Sequence, residues 1–137
     1  MGAGKGGNFD KFSKFADNFA DLLKKYGPLS PTGFFGEKSK DTVRHIFSSN
    51  PLETAIDFFD RLKKGALIKP LENGKGWKAE FSDGFHAVYR KTSSSDGTPV
   101  VEIYTYIKTR NASSTVEVTI SEGTFKIRYQ KIHFVSK

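Results

Sequence analysis

The 137-residue chain contains no cysteine. That excludes disulfides, thiolate catalysis and cysteine-ligated zinc. A chain without thiols also folds alike in oxidising and reducing compartments. Methionine and tryptophan occur once each, and there are only three histidines, His45, His86 and His133. No two of them have helical metal-ligand spacing, and no acidic cluster lies beside them in sequence, so no metal and no cofactor is expected. No apolar stretch approaches the ~20 residues that cross a bilayer, and no signal peptide is visible. Acidic residues are the minority charge, 15 against 22 Lys and Arg, which leaves +7 and a pI near 9.6. That sign favours polyanionic partners: nucleic acid, an acidic protein or an anionic membrane surface.

What the chain has in quantity is phenylalanine, 13 residues within a 36% hydrophobic share. This is too apolar for a disordered chain, and the length suits one domain with a modest core. Residues 1–7, Met1-Gly2-Ala3-Gly4-Lys5-Gly6-Gly7, read as a flexible linker, as if a domain were cut from a larger protein. The single domain is then 8–137.

A helix is expected from Asn8 or Asp10, because Phe9, Phe12, Phe15, Phe19, Leu22, Leu23 and Tyr26 recur at spacings of three and four. Gly27-Pro28 stops it. A short helix is expected from Ser39 or Lys40 to Ser48. A third begins at Asn50, with Pro51 at its first position and Glu53 closing a capping box. Leu52, Ala55, Ile56, Phe59 and Leu62 should face inward, and Gly65 ends the helix.

After residue 75 the period changes to alternation. Trp77, Ala79 and Phe81 precede an Asp83-Gly84 turn, and Phe85, Ala87 and Tyr89 follow it. Residues 100–108 are apolar on both faces and so central. Strands follow over 115–121 and from Phe125, joined by a Glu122-Gly123 turn. The fold class is therefore α+β, with N-terminal helices packed on a C-terminal four- to five-stranded antiparallel sheet. After Tyr129 the apolar phase slips by one residue. A bulge or break near Gln130-Lys131 would keep Ile132 and Phe134 in the core and turn Lys131 and His133 outward.

Two features can carry chemistry. His133 stands beside that break and next to Lys131, and a histidine titrates in the range of a general acid or base. His45 lies in Val43-Arg44-His45-Ile46-Phe47, where packing explains it as well as function, and His86 is the weakest candidate. The second feature is the run from Tyr89 to Pro99, where Arg90 and Lys91 adjoin a hydroxyl-rich loop with Ser94, Ser95 and Thr98. An Arg fork and hydroxyls can hold a phosphate, although serine, aspartate and glycine are also ordinary loop residues. Lys126, Arg128 and Lys131 alternate along the last strand, and Tyr104 and Tyr106 lie on the one expected beside it. Cations interleaved with rings suit RNA, and a merely solvated sheet face has the same composition. The N-terminal glycines lack the spacing of a phosphate loop, and Asn111-Ala112-Ser113 is a short sequon that carries little weight.

The glycine-rich junction, the helical start, Val43-Arg44-His45-Ile46-Phe47, the Arg90–Pro99 loop and the ending Gln130-Lys131-Ile132-His133-Phe134 resemble a C-terminal toxin domain of the bacterial contact-dependent growth inhibition and polymorphic toxins. The layout is similar to that of the barnase/EndoU/colicin/RelE ribonuclease superfamily. The resemblance implies metal-independent RNA cleavage, often of tRNA, by attack of a ribose 2′-hydroxyl on the adjacent phosphate. It implies His133 as acid or base, Arg90 on the phosphorane, Ser94, Ser95 or Thr98 orienting the phosphate, and His45 as a second acid–base group. Lys91, Lys126, Arg128, Lys131 and Tyr104 would bind RNA. It implies export within a larger cell-surface protein, action in the target-cell cytoplasm, an acidic immunity protein, and for some members a host translation elongation factor. A DNase toxin and a noncatalytic nucleic-acid- or protein-binding module are the competing readings.

Overall fold

The computed structural model describes residues 3–82, 84–93, 96–105 and 115–137, with side chains described from residue 14 onward. The apolar stripe of the first helix, α1 (Ala3–Tyr26), buries Phe15, Phe19 and Leu22. The side chains of Phe9 and Phe12 lie outside the described set. The helix begins at Ala3, before the expected Asn8 or Asp10, so the segment expected as linker is helical from that residue. Glycine disfavours a helix by only ~1 kcal/mol per residue, and cooperative extension of a long helix offsets that. It ends at Tyr26, before Gly27-Pro28, as expected.

The expected short helix over Ser39–Ser48 is instead a hairpin of β1 (Glu37–Lys40) and β2 (Val43–Ser48). Asp41 turns it with φ of 45°. Val43, Ile46 and Phe47 favour a pleated surface. β2 then finds a parallel partner in the last strand of the chain.

The second helix, α2 (Pro51–Leu62), starts as the sequence predicts. The Asn50 side chain accepts from the Glu53 backbone N–H at 3.4 Å, with Pro51 following. The return half of the capping box is replaced: the Asn50 N–H donates to Ser48 Oγ at 2.9 Å. Ala55, Phe58, Phe59 and Leu62 are buried, whereas Leu52 and Ile56 are exposed at 44% and 40%. The inward stripe is therefore rotated toward Phe58.

The remaining strands are β3 (Leu67–Pro70), β4 (Gly76–Glu80), β5 (His86–Arg90), β6 (Val100–Tyr104), β7 (Thr115–Ile120), β8 (Gly123–Arg128) and β9 (Gln130–Ser136). A 3₁₀ turn, Glu72–Gly74, joins β3 to β4. Among the described residues, seven of the nine strands form one sheet in the order β1-β2-β9-β6-β5-β4-β3, with β6 in the middle as its apolar sequence required. β7 and β8 form a separate pair. The α+β class holds, but the sheet is larger than four or five strands, and it is mixed, because β2 and β9 run parallel. Strands also occupy residues 37–48, so helices do not fill the first half.

The phase slip after Tyr129 has a structural cause. The chain leaves the two-stranded sheet at Arg128 and enters the seven-stranded sheet at Gln130. Gln130, Ile132 and Phe134 then point into the core. Gln130 is fully buried and fully bonded. Its amide donates to the carbonyls of Gly33 (3.0 Å) and Arg128 (3.1 Å), and its oxygen accepts from the Phe35 N–H (2.8 Å).

α2 lies on one face of the large sheet, and α1 packs against α2 and against β7 of the small sheet. Phe58 packs against Phe35 and Phe134, Phe59 against Tyr89, and Phe15 stacks on Phe85 at 4.0 Å. Each buried ring contributes on the order of 1.5–3 kcal/mol. Asn18 of α1 ties the helices together by donating to the carbonyls of Leu62 (2.7 Å) and Lys64 (2.8 Å) at the end of α2. Strand alternation then dictates what faces the other way.

Candidate active site

On the face turned away from the helices, register aligns four strands. His45 of β2 is opposite His133 of β9, His133 is opposite Val100 of β6, and Val100 is opposite Arg90 of β5. The next row holds Lys131, Glu102 and Val88. His45 and His133, 88 positions apart in sequence, meet with ring centroids 6.0 Å apart and planes at 82°.

His133 is not turned out to solvent as expected. It is 4% exposed. The loop before β6 lies alongside it: the Phe134 N–H donates to the Pro99 carbonyl at 2.9 Å, and Thr98 Oγ1 is 2.8 Å from His133 Nδ1. The Thr98 hydroxyl donates its one proton to Asp96 Oδ1 at 2.7 Å. Its oxygen must therefore accept from His133 Nδ1–H, which leaves Nε2 with a free lone pair. Asp96 Oδ1 is itself 3.3 Å from Nδ1. Burial lowers the His133 pKa. The Asp96 charge opposes that fall, and Lys131 and His45 add to it. His133 is thus neutral near pH 7 with Nε2 as its basic atom.

Asp96 is held by its own loop. The Ser93 hydroxyl donates to Oδ1 at 2.5 Å and the Thr98 N–H at 3.1 Å. These bonds, the one from Ser93 foremost, keep its carboxyl well below the ordinary range. The array Asp96–Thr98–His133 is therefore an anion, a relay hydroxyl and an oriented imidazole.

Beside it lies a hollow of about 530 Å³ lined by Lys75, Arg90, Ser93, Glu102, Tyr104 and Lys131, among others. Glu102, 8% exposed, accepts from Arg90 Nη1 (2.7 Å), Tyr104 Oη (3.0 Å) and Tyr129 Oη (2.7 Å). Burial pushes its pKa up, but the bonds from Tyr129, Arg90 and Tyr104 outweigh it, so the carboxylate stays ionised. Its effect is to fix Arg90 at the mouth of the hollow with two more cations nearby. Among the described residues no cluster of three His, Asp or Glu is placed to hold a metal ion.

Of the residues singled out from sequence, His133, His45 and Thr98 come together, and Arg90, Lys131 and Tyr104 line the adjoining hollow. Ser94, Ser95 and Tyr106 lie outside the described residues, as do Asp83 and the sequon at Asn111. Lys126 and Arg128 do not extend the Lys131 row. They stand on β8, in the other sheet, and line a separate hollow with Thr32 and Glu117. The strand paired with β8 is β7, not the tyrosine-bearing β6. Lys91 is also apart, beside Trp77. Sequence reading missed Asp96, Glu102, Tyr129 and Lys75. A signal existed for Glu102, the one carboxylate in the otherwise apolar Val100–Ile103 run. Asp96 gave none beyond its place in the loop. Comparison with family models, with curated proteins and with solved structures finds no match, so the site stands on its geometry.

Proposed function

We propose that the protein is a metal-independent endoribonuclease toxin domain acting on RNA, of the tRNA-cleaving kind, and that His133 and His45 form its acid–base pair. The observation that carries this reading is their register alignment across β2 and β9, with His133 neutral and oriented by Thr98 and Asp96. His133 Nε2 takes the proton of a ribose 2′-hydroxyl as its oxygen attacks the adjacent phosphorus. The bond from phosphorus to the 5′-oxygen breaks, and His45, in the role of general acid, delivers a proton to that oxygen. The products are a 2′,3′-cyclic phosphate and a free 5′-hydroxyl. Arg90, Lys131 and Lys75 stabilise charge on the phosphorane, which is the largest contribution such a site can make.

The net charge of +7 fits an RNA substrate. The same charge fits an acidic immunity protein that covers the site, associating fast through steering. Delivery within a larger surface protein into a competing bacterium, and recruitment of a translation elongation factor, belong to this proposal through the resemblance alone. The burial of His133 favours one second reading, a noncatalytic RNA-binding module.

The test is cleavage of total tRNA in EDTA, with the ends of the fragments mapped. We expect cyclic phosphate ends from the wild-type protein and a loss of about 10²–10⁴-fold in His133→Ala. Full activity in His133→Ala protein of native fold would overturn the assignment. Salt-dependent RNA binding without turnover would establish the binding module instead.

A further inference from the structure

The large sheet ends at β1 on one side, but β1 covers only part of β2. It pairs with Val43–His45, and Ile46–Ser48 have no strand beside them on that edge among the described residues. The cause is Gly36. Its φ of 68° turns the chain away from β2, and Phe35 before it is fully buried in the core. On the other side β9 takes the backbone groups of alternate residues. The Thr42 carbonyl accepts from the Lys131 N–H at 2.9 Å, and the Ser48 carbonyl from the Lys137 N–H at 3.2 Å. Residues 42, 44, 46 and 48 therefore bond toward β9, and the N–H and C=O of Phe47 point to the open edge.

Alongside that edge runs a hollow of about 830 Å³, with β2 as one wall and α2 as the other. Phe47 and Ile56 line it and are exposed at 45% and 40%. Its charged groups are four carboxylates, Glu37, Glu53, Asp57 and Asp60, and two lysines, Lys25 and Lys137. Lys25 pairs with Asp57 at 3.0 Å, whereas Glu37 and Glu53 have no ion-pair partner among the described residues. The hollow is thus acidic and apolar on a chain of net charge +7, and it repels nucleic acid where the rest of the surface attracts it. The opposite edge of the sheet is guarded, because β3 carries Lys69 and Pro70, which discourage strand addition. Ile46–Ser48 has neither residue.

We propose that the open edge of β2 and the α2 wall form a docking groove for an extended, cationic segment of a partner protein. The segment adds a short strand beside Phe47 and exchanges backbone hydrogen bonds with it. Its apolar side chains cover Phe47 and Ile56, and its lysines or arginines meet Glu37 and Glu53. In strand addition the main-chain bonds supply affinity and alternate side chains supply specificity. An acidic partner of the basic surface would be repelled here, so this is a second interface. His45 lines the same hollow, so a seated segment lies against the general acid proposed above. The docking itself does not depend on the ribonuclease reading.

The probe is a fluorescein-labelled peptide of alternating lysine and valine, titrated into the wild-type protein at physiological salt and followed by anisotropy. We expect saturable binding with Kd of about 100 μM or tighter. A peptide of alternating glutamate and valine should not bind. Methylation of the central backbone nitrogens of the lysine–valine peptide should weaken it about tenfold, because the strand bonds are lost. Glu37→Gln combined with Glu53→Gln, both at exposed positions, should weaken it about fivefold with an unchanged circular dichroism spectrum. In ¹⁵N-labelled protein the Phe47 amide should shift, and its hydrogen exchange should slow. Absence of saturable binding, equal affinity for the acidic or the methylated peptide, undiminished affinity in the double variant, or shifts centred on Ile68 of β3 would overturn the groove. Peptide binding by a protein inert toward RNA would sink the nuclease and keep the groove, and cleavage without peptide binding would do the reverse.

Discussion

His45 and His133 stand opposite one another on parallel strands, their rings 6.0 Å apart and nearly perpendicular. Each is the other's nearest histidine, and the His45 ring helps to hold the His133 pKa down. Groups that act on one proton inventory are not additive when removed. His45→Ala and His133→Ala should each lower kcat on tRNA by about 10²–10⁴-fold. The double variant should be no slower than about threefold below the worse single one. Single-turnover rates in EDTA measure this, and multiplicative losses would mean that the two rings work independently.

Asp96 and Thr98 should separate charge from orientation. The Asp96 charge favours protonated His133, so Asp96→Asn lowers the His133 pKa further and moves the acid limb of kcat/KM to lower pH. Thr98→Val keeps the charge and loses the relay, so the rate should fall about tenfold with a smaller move of the limb. NMR titration of the His133 ring gives the pKa directly. Stability follows from the same shift. A histidine lowered below its unfolded value of ~6.5 binds its proton more weakly when folded, so its contribution is full above that pH and is lost as pH falls through the lowered value. Urea midpoints should therefore drop on acidification below ~6.5, and less so in His133→Ala.

The start of α2, the end of α1 and the central place of β6 were legible in the sequence, because caps, a glycine–proline stop and an apolar run are local signals. The phase slip after Tyr129 was legible too, although its cause, a change of sheet, was not. Val43–Phe47 was misread because its three- and four-residue spacing is compatible with a helix. What makes it a strand is the parallel pairing with β9, about 90 residues distant in sequence. The same pairing brings His45 to His133, so no local pattern could have joined them. Lys126 and Arg128 were placed beside Lys131 because one strand was read where there are two.

Glu102 should matter to stability more than to chemistry. Three donors converge on its buried carboxylate, and glutamine would present an amide N–H₂ to some of them. Glu102→Gln should cost about 2 kcal/mol, read as a lower urea midpoint with unchanged slope. Arg90 loses its anchor, so KM for RNA should rise more than kcat falls. A variant as stable as wild type would show that the three bonds are dispensable.

Two neighbouring glycines should fail for different reasons. Gly76 opens β4, and a Cβ there would overlap the Tyr89 carbonyl oxygen, a backbone atom that cannot swing aside. Gly76→Ala must push β4 away from β5 where Tyr89 and Arg90 part to opposite faces, at a cost of about 3 kcal/mol. Gly74, two residues earlier, would meet nothing within 4 Å, but its φ is +66°. Gly74→Ala should cost only the left-handed strain, about 1 kcal/mol, and Gly74→Asn less, because asparagine tolerates that region. Urea denaturation of the three variants should rank them in that order. Equal stability losses at the two positions would mean that β4 and β5 can separate without penalty.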